Sequence, residues 1–407
     1  MPETGTMNLS VKIAAGGGSS GGDDFYPYEL VLEEGFSRVY RGTLTLLTKT
    51  LHTTQDLRGL LDTAVSLVIS QRIAGGLVAR SRCLHGIITA AAACGCVGSG
   101  GAPCYRYDLT IESELARLRH TRVSAPFYRK TPPDILEEIL AKYGLRPSFS
   151  DEYISRSSFG KNLMFEQVHV SELDFIRRLM DLYGISWTFT HGAVSPDGMG
   201  SAALHFTSGS RFPAPVYEYS DKRKVPDIEK FGFANYDDRE NLWRMTGWRM
   251  ESGIGVEGLE VTAPYPEAGY GSRDWRWGET GAGKRLYSYS TLFHGYERGT
   301  PAAEIDADVQ SIIEARRIAF ALAKENWSGR AESILPMPGL LLTVGNFQGA
   351  RDTATIRALV TDSRLRVRTL WPQDIASPPP DAETGELVQT AFNVIDWGTE
   401  SVKRFCR

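Results

Sequence analysis

Five side chains able to bind a metal ion crowd between positions 83 and 104: Cys83, His85, Cys94, Cys96 and Cys104. Thiolates and imidazoles are the usual ligands of a structural zinc ion, which takes four of them tetrahedrally. The usual clamp separates two cysteines by two residues so that both sulfurs reach one ion. Here Cys94 and Cys96 are separated by one residue, and a glycine-rich stretch divides them from Cys104. These five are therefore weak metal candidates, and no cofactor is expected. The competing reading makes residues 84–89 and 105–111 two strands of a hairpin with the cysteines on its tip. With Cys406 the cysteines number five, and an odd count fits a reducing compartment better than a disulfide framework.

The second chemical motif is GETGAGKR, residues 278–285, which follows a phosphate-binding loop for seven positions and then places Arg285 where a hydroxyl should meet magnesium. Such a loop needs a buried strand before it and a helix after it, so that backbone amides converge on phosphate. RDWRW precedes the motif and the strand-like LYSYSTLF follows it, so a hairpin loop is expected. The histidines at 52, 85, 120, 169, 191, 205 and 294 form no pair at a ligand spacing. Glu137 with Glu138, and Asp237 with Asp238, have no apolar pocket to tune them for acid/base work. No GxSxG elbow is present. Catalytic residues are expected to be none.

At roughly 150 residues per domain, 407 residues suggest about two or three domains. Hydrophobic residues at 42% and charged residues at 23% describe a globular chain. The net charge of −4 offers no broad basic surface for nucleic acid or an anionic membrane. The start, MPETGTMNLSVK, lacks the basic and apolar regions of an export signal, and the most apolar stretch, residues 84–98, falls short of the roughly 20 residues that span a bilayer. Neither export signal nor stable membrane insertion is expected.

The elements that would position these residues begin with strands. Residues 28–122 alternate short β-patterned runs with turns, the rhythm of an antiparallel barrel or sandwich. Residues 14–23 read as a flexible loop between a first strand at 9–13 and the next at 28. An α/β segment follows. Thr131 caps a helix that carries prolines at 132 and 133, where missing amides cost little, and that stops at Gly144. Ile135, Ile139 and Leu140 form its apolar stripe, extended by Tyr143, with Glu137, Glu138 and Lys142 in water. In FEQVHVSELDFIRRLMDLYGISWTFTH, residues 165–191, Ser171 caps a second helix and Asp174 reaches back to it. Leu173, Phe175, Ile176, Leu179, Met180 and Tyr183 make its apolar face, and Gly184 ends it. Ile185, Trp187 and Phe189 then alternate with polar residues as a strand with one buried side. Beyond residue 200 the pattern returns to strands, interrupted by a long helix over 301–326 with Ile305, Val309, Ile312, Ile313 and Phe320 near helical spacing. Residues 377–386 read as an exposed loop, and a last strand follows.

The 165–191 stretch closely resembles a segment of VgrG proteins of type VI secretion and of related phage late-control tail proteins. The resemblance rests on an aromatic-Glu strand (Phe165, Glu166), a Ser-x-x-Asp-Phe helix start (Ser171, Asp174, Phe175), Leu179, the stop at Gly184, and aromatic-x-Phe-x-His ending in Phe189 and His191. RCLHGIIT with YRYDLTIESELARLRHTR, TPPDILEEILAKYGL, LPMPGLLLTVGNF and IRALVTDSRLRV resemble further pieces of that family in the same order. The likeness is strongest over 80–191 and barely detectable over 210–290. The family's pattern does not include the stretch 14–25 or the cysteine-rich tip.

The resemblance implies a mainly β fold: two related antiparallel β-barrels per subunit with an α/β subdomain. The first barrel is expected over 1–125, completed by a segment near 205–235. The α/β insertion is expected over 126–204, and the second barrel, with helix 301–326, over 236–407. It also implies a non-enzymatic baseplate hub. Three copies would form a ring whose six barrels face a hexameric tail-tube protein, with a separate spike or needle protein and other baseplate proteins as neighbours. The chain would be made and assembled in the cytoplasm or virion tail and delivered outward on contraction. The nine signature residues would then serve shape. Longer members continue into a β-helical needle with a valine-glycine repeat. None appears before SVKRFCR, so the spike is expected as a separate polypeptide unless the chain was cut at a domain boundary. The alternatives are a hydrolytic tail component or a monomeric ligand-binding β-protein with an aromatic groove formed by Trp243, Trp248, Trp275 and Trp277.

Overall fold

The computed structural model describes residues 7–14, 25–72, 79–97, 103–149, 163–195, 198–207, 218–219, 229–232, 242–265, 271–278, 286–290, 294–345, 355–373, 377–378 and 383–396. Strands dominate. The first part of the chain supplies β1 (Met7–Ile13), β2 (Tyr26–Gly35), β3 (Arg41–Thr48), α1 (Thr54–Leu60), β4 (Ala64–Arg72), β5 (Ala79–Val97) and β6 (Cys104–Glu112). The alternation explains them: Tyr28, Leu30 and Leu32 point inward from β2, and Val65, Leu67 and Ile69 from β4.

The α/β segment comprises a 3-10 turn at Glu114–Arg119, β7 (Arg122–Tyr128), α2 (Pro132–Ala141), β8 (Ser148–Phe149), β9 (Leu163–Ser171), α3 (Glu172–Tyr183), β10 (Ser186–His191) and β11 (Ala202–Thr207). Helix α2 is closed at its start by a reciprocal box between Thr131 and Asp134 and buries Ile135, Leu136, Ile139 and Leu140. At its end Gly144, at φ 71°, lets Leu145 return a backbone hydrogen bond to Leu140 at 3.1 Å. The remainder is β12 (Glu218–Tyr219), β13 (Glu229–Gly232), β14 (Leu242–Ser252), β15 (Gly258–Tyr265), β16 (Gly271–Gly278), β17 (Leu286–Ser290), β18 (His294–Tyr296), α4 (Ala302–Ala323), β19 (Glu325–Ala331), β20 (Leu341–Gly345), β21 (Thr355–Arg368) and β22 (Leu387–Asp396).

Where two barrels were expected, thirteen of the described strands join in one sheet, ordered β1-β4-β5-β6-β3-β2-β21-β20-β13-β14-β19-β22 with β12 beside β5, and the others form the three-stranded sheets β10-β11-β8, β16-β15-β17 and β18-β9-β7. The cause is the length of β21. Its first residues pair with β20, its later residues Asp362–Arg368 pair with β2, and its other edge pairs with β22. One long strand thus belongs to both halves. The sheet also departs from the expected antiparallel pattern, because β13 runs parallel to both β14 and β20. Of the 205–235 segment, β12 pairs with Arg80 and Ser81 of β5, whereas β13 lies in the other half of the sheet.

Two apolar cores result. One fills the sheet, from Met7 and Leu9 through Tyr107 to Phe392 and Val394. The other gathers α2, α3 and β10 with Leu259, Val261 and Trp275 of β15–β16 and with Ile305, Val309, Ile312 and Ile313 of α4. Helix α4 therefore packs on the α/β segment, and it stops before Glu325 because β19 begins there and pairs with β14 and β22. Strand β10 lies between the cores, with Phe189 against both, so Thr188 is buried as well as Trp187. The expectation of a single buried side fails there because the opposite face of β10 meets the sheet. No described helix is long and apolar enough to cross a membrane.

Candidate functional site

Of the signature residues, Phe165, Phe175 and Leu179 lie in the α/β core, and Phe189 and His191 reach the core of the sheet. Ser171 caps α3 by accepting the Asp174 amide at 3.1 Å, and the Asp174 carboxylate accepts the Ser171 hydroxyl at 2.7 Å. Phe165, Phe175 and Leu179 are buried, with Phe175 stacked on Phe127 at 5.3 Å. Glu166 and Asp174 face solvent. Gly184 takes the left-handed conformation at φ 63°, and a Cβ there would stand 2.7 Å from Ala315 Cβ of α4. Glycine both ends α3 and admits the second helix. Tyr183 and Tyr296 donate to Asp308 Oδ2 at 3.4 and 2.8 Å, joining α3, β18 and α4. Glu172, fully buried, is held by Lys142 Nζ at 2.8 Å and by the Tyr143 hydroxyl.

At the end of β10 the module meets the sheet through histidines. His191 Nδ1 accepts the backbone N–H of His85 at 3.1 Å. His85 Nε2 lies 2.7 Å from the Gly192 carbonyl, which can only accept, so Nε2 carries the proton and Nδ1 accepts from the Ser66 hydroxyl at 2.8 Å. Ser66 in turn accepts the Gly200 amide at 3.0 Å. Tyr40 donates to the His85 carbonyl and meets the rings of Phe189 and His191 edge-on at 4.9 and 5.1 Å. A Cβ on Gly200 would lie 2.4 Å from the His85 ring, so the loop passes there only as glycine.

Burial sets the electrostatics. It drives the His191 pKa well below the ordinary imidazole value, helped by the cations Arg82 and His85 would present, and it lowers that of His85. The Tyr40 phenol is held far above its ordinary value by burial and by Glu114 and Glu34, so it remains a donor. Arg82 is buried with Glu34 in an ion pair and donates to the Ile334 carbonyl at 3.3 Å. Beside it Gln71 bridges the Glu332 carbonyl at 3.0 Å and the Ile334 amide at 3.1 Å. Strands β2, β4, β5 and β10 and the segment after β19 are thereby tied in one buried polar joint.

A serine beside a histidine suggests a nucleophile, but Ser66 and His85 are each 2% exposed, and both hydrogen-bonding roles of the hydroxyl are taken up inside the fold. The space beside His191, about 20 Å³ and bounded by Cys83, Thr190 and Met337, is too small for a substrate. Its chemistry is that of a joint. The metal candidates do not converge. Strands β5 and β6 form the expected hairpin, and its last pairs set Cys96 opposite Tyr105 and Val97 opposite Cys104, with Cys94 just before them on β5. At ~3.3 Å per residue, His85 is roughly 30 Å from Cys94 along the strand. Cys94 donates to Asp108 at 3.3 Å, and Cys104 is buried with Tyr28, Leu47 and Trp371. No described cluster of three ligating side chains could hold a metal ion.

The phosphate-loop-like motif begins at Gly278 and is followed by strand β17 rather than a helix; residues 279–285, like Asp237, Asp238 and Cys406, lie outside the described residues, as do residues 15–23 and 379–382 of the two expected loops. The tryptophans form no common groove. Trp248 packs on Trp327 in one core, Trp275 is buried in the other and donates to Asp306 at 2.9 Å, Trp277 is exposed, and the Trp243 side chain lies outside the described residues. Sequence reading missed Tyr40, Ser66, Arg82 and Glu34. The available signal was arginine at positions 80 and 82, in a strand whose neighbours are apolar.

The fold and joint define a class: a strand-rich protein whose α/β segment is tied to its main sheet through buried polar groups. Residues 33–220 match the family model described as phage tail baseplate hub (GPD). No curated protein sequence matches the chain. Among solved structures it resembles the tail protein from Neisseria meningitidis MC58, with a TM-score of 0.57 and 12% identity over 98% of each chain. It resembles the E. coli c3393 protein, a component of the type VI secretion system with structural similarity to T4 bacteriophage tail proteins gp27 and gp5. There the TM-score is 0.55 and the identity 16%, over 96% of this chain and 78% of that one. The Francisella PdpA-VgrG complex gives a TM-score of 0.53 at 9% identity over 98% of this chain and 59% of that chain. These solved structures share the fold of the chain, at 9–16% identity.

Proposed function

We propose that the chain is the structural baseplate hub of a contractile injection system and joins tail tube to spike. The match to the baseplate hub family over residues 33–220 carries this reading. The joint supports it mechanically: Arg82–Glu34, Gln71 and the shared strand β21 resist separation of the two strand systems. The two halves of the sheet act as two related barrels, three subunits close into a ring, and six barrels then match a hexameric tube while a threefold face receives the spike. A spike or needle protein and other baseplate proteins are the neighbours of the ring. Sheath contraction drives tube, hub and spike outward, and the hub bears force without catalysis. Assembly takes place in the cytoplasm or on the virion tail.

Cryo-electron microscopy of the purified chain tests this. The reading expects threefold rings with six strand-rich lobes around a central opening. Particles of single chains, or rings of another symmetry, would overturn it.

A further inference from the structure

A cleft of about 840 Å³ opens where β2 and β3 face β14, β19, β21 and β22. Six arginines line it against four carboxylates. The carboxylates are already engaged: Glu112 by Arg119 at 2.8 Å, Glu33 by Arg364 at 3.4 Å, Glu34 by Arg82, and Asp362 by Asn393 at 2.7 Å. Arg38, Arg41 and Arg330 have no ion pair among the described residues, although Arg41 stands opposite Glu33 and Glu112 in the strand registers. In a chain of net charge −4 this is a local cationic surplus.

We propose that this cleft takes a carboxylate-bearing segment of a partner protein. Guanidinium forks match carboxylates in planar, bidentate pairs. Nucleic acid fits less well, because a charge at every nucleotide would be carried past the four wall carboxylates, whereas an acidic peptide can space its charges to the free arginines. The occupant would bridge β2–β3 and the β14–β22 strands, locking the two halves. The proposal rests on the hub reading only for the expectation that the partner is a neighbouring protein of the assembly.

The test uses the full chain and a fluorescein-labelled decapeptide of alternating glutamate and glycine, read by fluorescence anisotropy, with a labelled 12-base-pair DNA duplex in parallel. Saturable peptide binding is expected. It should weaken about tenfold in the double variant Arg41→Glu/Arg330→Glu. Arg146→Glu, an exposed position on the α/β segment, should bind as the parent does. Absence of peptide binding, equal weakening by Arg146→Glu, or tighter binding of the duplex would overturn the proposal. A monomeric chain that still binds through the cleft would sink the hub reading alone, and a ring that ignores the peptide would sink the cleft alone.

Discussion

His191 reaches across 106 residues to accept the backbone N–H of His85 at 3.1 Å, and it can do so only as a neutral ring. Both histidines have folded pKa values below the ordinary 6.5, His191 well below. The unfolded chain therefore binds more protons once pH falls under 6.5, and folding stability drops as pH descends from there toward the lowered folded values. His191→Leu should lose about 1–3 kcal/mol at pH 8, because the His85 amide is left buried and unpaired. It should also flatten the pH dependence below 6.5. Urea unfolding of both proteins from pH 8 to 5 checks the two effects, and a variant as pH-sensitive as the parent would refute this role.

Gly184→Ala forces a side chain into the left-handed region and against Ala315 at 2.7 Å. A loss of about 2–5 kcal/mol is expected, combining a left-handed penalty of about 1–2 with overpacking of about 1–3. Adding Ala315→Gly should restore part of the packing term and leave the backbone term. Equal stability of the single and double variants in thermal unfolding would show that the α3–α4 approach is not the constraint.

Removing one partner of the buried Arg82–Glu34 pair leaves an uncompensated interior charge. Arg82→Met alone, or Glu34→Leu alone, should cost about 3–5 kcal/mol, whereas the double variant should be more stable than either. Chemical denaturation of the three variants decides this; additive losses would mean that the pair is not energetically coupled.

The cysteines should behave as separate thiols. Chelation with EDTA should leave the melting temperature unchanged, since the candidate ligands are spread along β5 and β6. Exposed Cys96 should alkylate first and buried Cys104 last, while burial and Asp108, which both raise the Cys94 pKa, slow that thiol. Protection of Cys83, Cys94 and Cys96 together by added zinc would contradict the placement.

The local elements were legible in the sequence because their causes are local. Thr131 and Ser171 accept hydrogen bonds from their own first turns, Gly144 and Gly184 permit the helix ends, and the apolar face of α3 repeats at helical spacing. What could not be read was pairing over distance. Nothing in the residues of β21 announces that one strand serves both halves of the sheet, and no local period brings His85 to His191 or β13 alongside β14 in parallel. The buried Arg80 and Arg82 were the one visible irregularity in β5, since arginine is rarely buried unless paired.

Absolute mass by light scattering after size exclusion, over a range of concentrations, tests the hub account most directly. The account predicts a persistent species of three times the 45.0 kDa of one chain. A species that stays at one chain's mass at every concentration would contradict it.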